Sequence, residues 1–239
     1  RYEALYSKYD ALKQSDQWDL VNDDIDFLGM LKADERKKML MFTKKFSQLR
    51  GDDLVREVYK TYPYYAVKSE IAKRIMSSVE LRKIEDAKPN DDDYAFFTIG
   101  YEGQSFEHYL NRLIRNNVHT LVDVRKNPLS RKYGFSKSTL SESLKNLEID
   151  YVHLPELGIT SEKRQELSTQ DDYDRLFDQY EKTTLIENAD AIKKLFDLFK
   201  DRKRVAITCF EARSCMCHRG RVAKKLSLLP NWKYQIIHI

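Results

Sequence analysis

A thiol, an acid, a second and third thiol, an imidazole and an arginine fall within one short stretch: Cys209, Glu211, Cys215, Cys217, His218 and Arg219. A thiol at a strand end, beside arginines and near the amino terminus of the next helix, sits in positive potential that favours thiolate. Cys209 meets that description as a candidate nucleophile, and its plainer reading is a small buried hydrophobe that closes the strand. Glu211 alternates with Cys209, so on a continuing strand the two share a side. There it can act as a general base or pair with Arg213 or Arg219. Cys217-His218-Arg219 opens a helix, whose unpaired N–H groups together with Arg219 would cradle an anion while His218 shuttles a proton or merely packs. The expected site is metal-free. A zinc ion, if present, would use Cys209, Cys217 and His218, with Asp123, His153 or Glu211 as a fourth ligand or an open position; the paired C-x-x-C knuckles of structural zinc sites are missing. Cys215 and Arg221 match the C-x5-R spacing of cysteine phosphatases, but Cys215 comes too far after the strand end for that chemistry.

A second polar constellation lies at Asp123-Val124-Arg125 and the following Asn127-Pro128-Leu129-Ser130-Arg131. Pro128 stiffens the loop, and Arg125, Arg131 and Lys132 can bind phosphate; alternatively, Asp123 and Arg125 pair and simply hold the loop. Ligands of an open parallel sheet bind outside the carboxyl ends of its strands. The residues delivered there are catalytic candidates Asp123, Cys209, Glu211 and His218, and binding candidates Thr98, Gly100, Arg125, Ser130, Arg131, His153 and Arg219.

The elements that must position these groups follow from apolar periodicity. Residues 1–84 read as a helical amino-terminal domain, with Met39, Phe42, Phe46 and Leu49 at helical spacing, a helix after Gly51 ending at Pro63, and another from Ser69 to about Ile84. The tyrosines Tyr59, Tyr62, Tyr64 and Tyr65 read as packing residues with hydroxyls at the edge rather than a base-stacking platform. Residues 85–93, polar and aperiodic, form the linker. From 94 to 239 strands and helices alternate: strands over 94–99, 120–124, 151–154, 205–209 and 234–239 are separated by amphipathic helices. This predicts an α/β domain, a mostly parallel five-stranded sheet with helices on both faces.

Bulk properties narrow the class. The 239 residues are 41% hydrophobic, enough for a sizeable core, and no apolar run is long enough to span a membrane. The three cysteines are odd in number and closely spaced, which fits a reducing cytoplasm rather than a disulfide framework. The sequence starts at Arg1 rather than at a methionine, so an upstream segment and its targeting signals are compatible with it. Net charge is only +4, yet residues 202–225 carry eight Lys/Arg against Glu211 alone, and residues 115–137 carry six against Asp123 alone. These runs point to a phosphate-bearing small molecule or nucleic acid as partner.

Together, Thr98-Ile99-Gly100, Asp123-Val124-Arg125, Asn127-Pro128-Leu129-Ser130, Gly134-Phe135-Ser136, Tyr151-Val152-His153-Leu154-Pro155-Glu156-Leu157-Gly158, and Cys209-Phe210-Glu211 with Cys217-His218-Arg219 resemble the domain-of-unknown-function family 488 over about residues 96–239. The resemblance implies an α/β sheet domain with a polar pocket and implies no particular reaction. Val58-Tyr59-Lys60-Thr61-Tyr62-Pro63 and Ser69-Glu70-Ile71 are similar to the helical extension of that family's longer members, where a protein partner could dock. The expected function is an enzyme acting on a nucleotide or nucleic acid. The alternatives are a non-catalytic nucleotide or nucleic-acid binding module and a zinc-stabilised interaction domain.

Overall fold

The computed structural model describes residues 28–160 and 169–239. The part of the expected helical domain before residue 28 lies outside the described residues. The remainder forms α1 (Ala33–Phe46), α2 (Gly51–Thr61), α3 (Ala72–Ile75) and α4 (Ser78–Asp86). Pro63 cannot donate into a continuing helix, and the chain turns there into a 3-10 segment, Pro63–Ala66. The single helix expected from Ser69 to Ile84 is instead two, α3 and α4. Ser77 takes extended backbone between them and its hydroxyl accepts from Glu80 N–H, while the Glu80 carboxylate accepts from Ser77 N–H at 2.8 Å. That reciprocal capping box starts a new helix where apolar spacing alone reads straight through. Behind it a small cluster of Ala66, Ala72, Met76 and Ile84 is buried.

The helices rest on the sheet domain through named contacts. Tyr64 donates its hydroxyl to the Asn111 carbonyl at 3.1 Å, with the Arg115 guanidinium over its ring. Tyr59 donates to Ser69, and Tyr62 and Tyr65 are exposed. The linker is pinned as well: Arg204 donates to the Asp93 carbonyl, Asn117 to the Asp91 carbonyl, and Lys203 pairs with Asp92 at 2.8 Å.

The sheet contains β1 (Ala95–Gly100), β2 (Thr120–Asp123), β3 (Asp150–His153), β4 (Arg204–Cys209) and β5 (Ile236–His238) in the order β3-β2-β4-β1-β5. Every pairing is parallel. Alternate side chains build two cores, as a doubly covered parallel sheet requires. Phe97, Ile99, Leu121 and Ala206 face α5 (Phe106–Arg115) and α6 (Lys137–Asn146). Phe96, Val122, Val205 and Ile207 face α7 (Gln170–Lys182), α8 (Thr184–Glu187), α9 (Ala189–Arg202) and α10 (His218–Ser227). The chain therefore leaves β1 and β2 on one face and β4 on the other. Since β4 lies between β1 and β2, crevices open beside its carboxyl end, the place where such sheets bind ligands. Among the described residues no helix is long and apolar enough to cross a membrane.

The Ser77–Glu80 box yields a pH test. The Ser77 backbone N–H, helped by hydrogen bonds from Arg56, Ser77 and Lys60 and opposed by partial burial, lowers the Glu80 pKa from 4.5 to about 2. Because the folded value is the lower one, the stabilisation is complete above pH 4.5 and is lost as pH falls toward 2. A carboxyl NMR titration should place Glu80 near 2, and Glu80→Gln should remove this step from the acid unfolding curve; a Glu80 midpoint at the ordinary glutamate value would contradict the box.

Candidate active site

Four strand ends converge at one edge of the sheet: Gly100 of β1, Asp123 of β2, His153 of β3 and Cys209 of β4. Asp123 is fully buried and receives a dense set of hydrogen bonds. Its Oδ1 accepts from the Arg125 backbone N–H at 3.0 Å and from Nε at 2.9 Å; its Oδ2 accepts from Arg125 Nη2 at 2.5 Å and from the Tyr151 hydroxyl at 2.7 Å. The other Arg125 nitrogen, Nη1, donates to the Tyr101 hydroxyl and the Phe135 carbonyl, both at 2.9 Å. Burial works against the Arg125 charge, but the hydrogen bonds and charge of Asp123 outweigh it and the guanidinium pKa is raised. The Tyr151 phenol is also held well up, first by burial and then by the Asp123 charge. The expected Asp123–Arg125 pair is formed, every Arg125 nitrogen donates inside the protein, and the residue also lines the open pocket described below.

Arg219 likewise turns inward. It is 1% exposed, and its guanidinium clamps the backbone through the Glu211 and Ala212 carbonyls. These contacts shape the Glu211 loop. Gly100 belongs to the same clamp, since a Cβ there would collide with the Glu211 carbonyl and reach 3.0 Å from Arg219 Nη1. The main chains of β1 and of the Glu211 loop meet at this point, and only glycine leaves room for them.

The thiols and the imidazole form a compact buried cluster. Cys209 and Cys217 are each 1% exposed and His218 is fully buried. Cys209 Sγ lies 3.5 Å and Cys217 Sγ 3.9 Å from His218 Nδ1, and the three ligand-type atoms are within 4.8 Å of one another. His218 Nε2 lies 2.9 Å from the Val124 carbonyl, which can only accept, so Nε2 carries a proton and Nδ1 faces the sulfurs. Tyr180 packs edge-on against that ring. Glu211, half-buried, brings Oε2 to 3.5 Å from Cys209 Sγ, so the expected shared side is realised. Burial, then hydrogen bonding and charge from Cys209 and the charge of Glu211, push the Cys217 thiol well above its ordinary pKa, with Arg219 opposing. Cys215 is exposed and stands apart on the Ser214–Met216 turn.

Cys209 also reaches the floor of an open pocket of about 300 Å³, lined among others by Tyr101, Lys126, Asn127, Ser130, Arg131 and Phe210. Ser130 and Arg131 thus line it as expected, on a loop braced by Ser136, whose hydroxyl donates to the Ser130 carbonyl at 2.9 Å. His153 and Thr98 do not line it. His153 Nε2 donates to the Arg125 carbonyl, and Thr98 bonds His238 on β5 at 2.7 Å. Sequence reasoning passed over Lys126 and Tyr151 as site residues. Lys126 directly follows the Arg125 it had singled out, and Tyr151 alternates with His153, which were the available signals. The basic run at 202–225 also divides. Arg202, Lys203 and Arg204 sit at the amino end of β4 and pair with Asp150, Asp92 and Asp91, so the cations beside the pocket come from the loop after β2.

Breaking the buried pair should be costly. Asp123→Asn leaves the Arg125 charge without its counterion, and urea unfolding should register a loss of about 3–5 kcal/mol; a loss of about 1 kcal/mol or less, typical of an exposed pair, would contradict the role given to it.

A family model described as "Domain of unknown function DUF488" matches residues 105–226, from α5 to the end of α10. No curated protein and no solved structure matches the chain.

Proposed function

The chain belongs to the DUF488 family, and from that premise we propose that it is an enzyme acting on a phosphate-bearing substrate, most plausibly a nucleotide or nucleic acid, in the pocket at the carboxyl end of β4. The observation that carries this reading is the double position of Cys209: its sulfur is part of a buried Cys/His cluster, and the residue also lines an open pocket. A cluster with no outlet would serve packing alone. One that opens beneath Lys126, Asn127, Ser130 and Arg131 is arranged to meet an anionic ligand.

In this reading Lys126 and Arg131, both exposed, hold the phosphate. Glu211, half-buried and 3.5 Å from Cys209, takes and returns the proton. Cys209 and His218 hold the reacting end. Asp123 and Arg125 position the loop that carries Lys126, and Arg219 positions Glu211. A cytoplasmic setting would keep the thiols reduced.

The test is turnover by the full chain against a panel of nucleotides and short oligonucleotides. Glu211→Gln should lower kcat about 100-fold or more, while Lys126→Ala with Arg131→Ala should chiefly raise KM and reduce its salt dependence. Full turnover in Glu211→Gln would remove the proposed base. Salt-dependent binding with no turnover of any member of the panel would favour the non-catalytic binding module instead.

A further inference from the structure

We propose that Cys209, Cys217 and His218 bind a thiophilic divalent metal ion, zinc being the best fit, with an open coordination position facing the Cys209 pocket.

The distances make the first argument. With metal–sulfur bonds of about 2.3 Å and metal–nitrogen bonds of about 2.0–2.1 Å, a tetrahedral ion sets its sulfur and nitrogen ligands about 3.6 Å apart. The two sulfurs stand 3.5 and 3.9 Å from His218 Nδ1, and all three ligand atoms fit inside 4.8 Å.

The tautomer makes the second. A metal-bound histidine characteristically donates its other N–H to a carbonyl or carboxylate, which fixes the ring and aims the free lone pair at the metal. His218 does this through Nε2 and the Val124 carbonyl at 2.9 Å. Both sulfurs converge on the same Nδ1, so a cation among the three would meet both sulfurs and the ring together.

The surroundings make the third. Three protein ligands with a fourth position left open are the mark of a catalytic rather than a structural zinc site. Cys217 and His218 lie behind the sheet edge, buried against α7 and α10, whereas Cys209 alone of the three lines the pocket. The open position therefore faces the pocket, and Glu211 approaches it from the Cys209 side. The metal site stands on this geometry; its catalytic use rests on the enzymatic reading proposed above. Sequence spacing offered the same three ligands only as an alternative, because they come from a strand end and a helix start with no paired knuckle.

The experiment is metal analysis of the full chain as purified, followed by exchange to Co²⁺ and absorption spectroscopy. One equivalent of metal per chain is expected, with a thiolate-to-cobalt charge-transfer band and the intense visible bands of tetrahedral cobalt. Cys217→Ser and Cys209→Ser should lose the charge-transfer intensity stepwise, and Cys215→Ser should keep all of it. Thiol labelling covers the case in which a cluster variant does not fold: in the wild type, bound metal should protect two thiols and leave Cys215 reactive, and a strong chelator should expose the two. A wild type that develops no charge-transfer band, or a band lost in Cys215→Ser, would overturn the site. A normal cobalt spectrum without turnover on any phosphate substrate would sink the enzymatic reading and leave the metal site intact, whereas turnover with no metal bound would do the reverse.

Discussion

The buried ion pair of Asp123 with Arg125 is the contact on which the rest of the site depends. It joins the last residue of β2 to a residue just beyond it, and so fixes the direction in which the chain leaves the sheet. The carbonyl between them, that of Val124, orients the His218 ring, and the Arg125 carbonyl receives His153. Through Tyr101 and Phe135, stacked at 4.2 Å, the same guanidinium ties the β1 end to the loop before α6. A buried pair of this kind is weak evidence for net stability, since a well-packed apolar replacement can do as well. Its consequence here is geometric. Two charges with nearly every hydrogen bond satisfied admit only one arrangement of the loop that leads into the pocket.

The topology explains why a buried cluster can adjoin an open crevice. The connections that follow β1 and β2 pack on one face and the one that follows β4 packs on the other, so the chain ends on either side of β4 diverge. Cys209 faces α10 and thus meets Cys217 and His218, which begin that helix. The residue nevertheless lines the open pocket at the edge where the sheet stops. Arg219 completes the arrangement from within, holding the Glu211 and Ala212 carbonyls so that the Glu211 segment folds back over β1.

Charge follows the same division. Parallel strands put all amino ends at one edge and all carboxyl ends at the other, so a basic run that spans a whole strand is shared between two distant surfaces. Arg204 illustrates this: it is buried at the amino end of β4, donating to the Asn116 and Asp93 carbonyls, far along the strand from Cys209. The cations that line the pocket include Lys126 and Arg131, on the loop after β2.

Much of this was legible in the sequence. Runs such as 95–100 and 204–209, apolar at successive positions and separated by amphipathic helices, leave few folds other than a parallel sheet covered on both faces, because each strand must be buried on two sides. Strand ends were equally readable, and with them Asp123, Cys209 and His153 as residues of one edge. What the sequence could not decide is where a long side chain points once several partners compete for it. Arg125 and Arg219 look like anion binders in one dimension, and the folded chain gives both internal partners as well: a carboxylate and a carbonyl for Arg125, two carbonyls for Arg219. Sequence position named Cys209, Cys217 and His218 as a possible ligand set but gave no distances among them, because a strand end and the first turn of α10 are brought together only when that helix docks on the sheet. Local pattern follows from backbone geometry and burial, which are encoded residue by residue; the partner of each polar group follows from distances that exist only after the layers have packed.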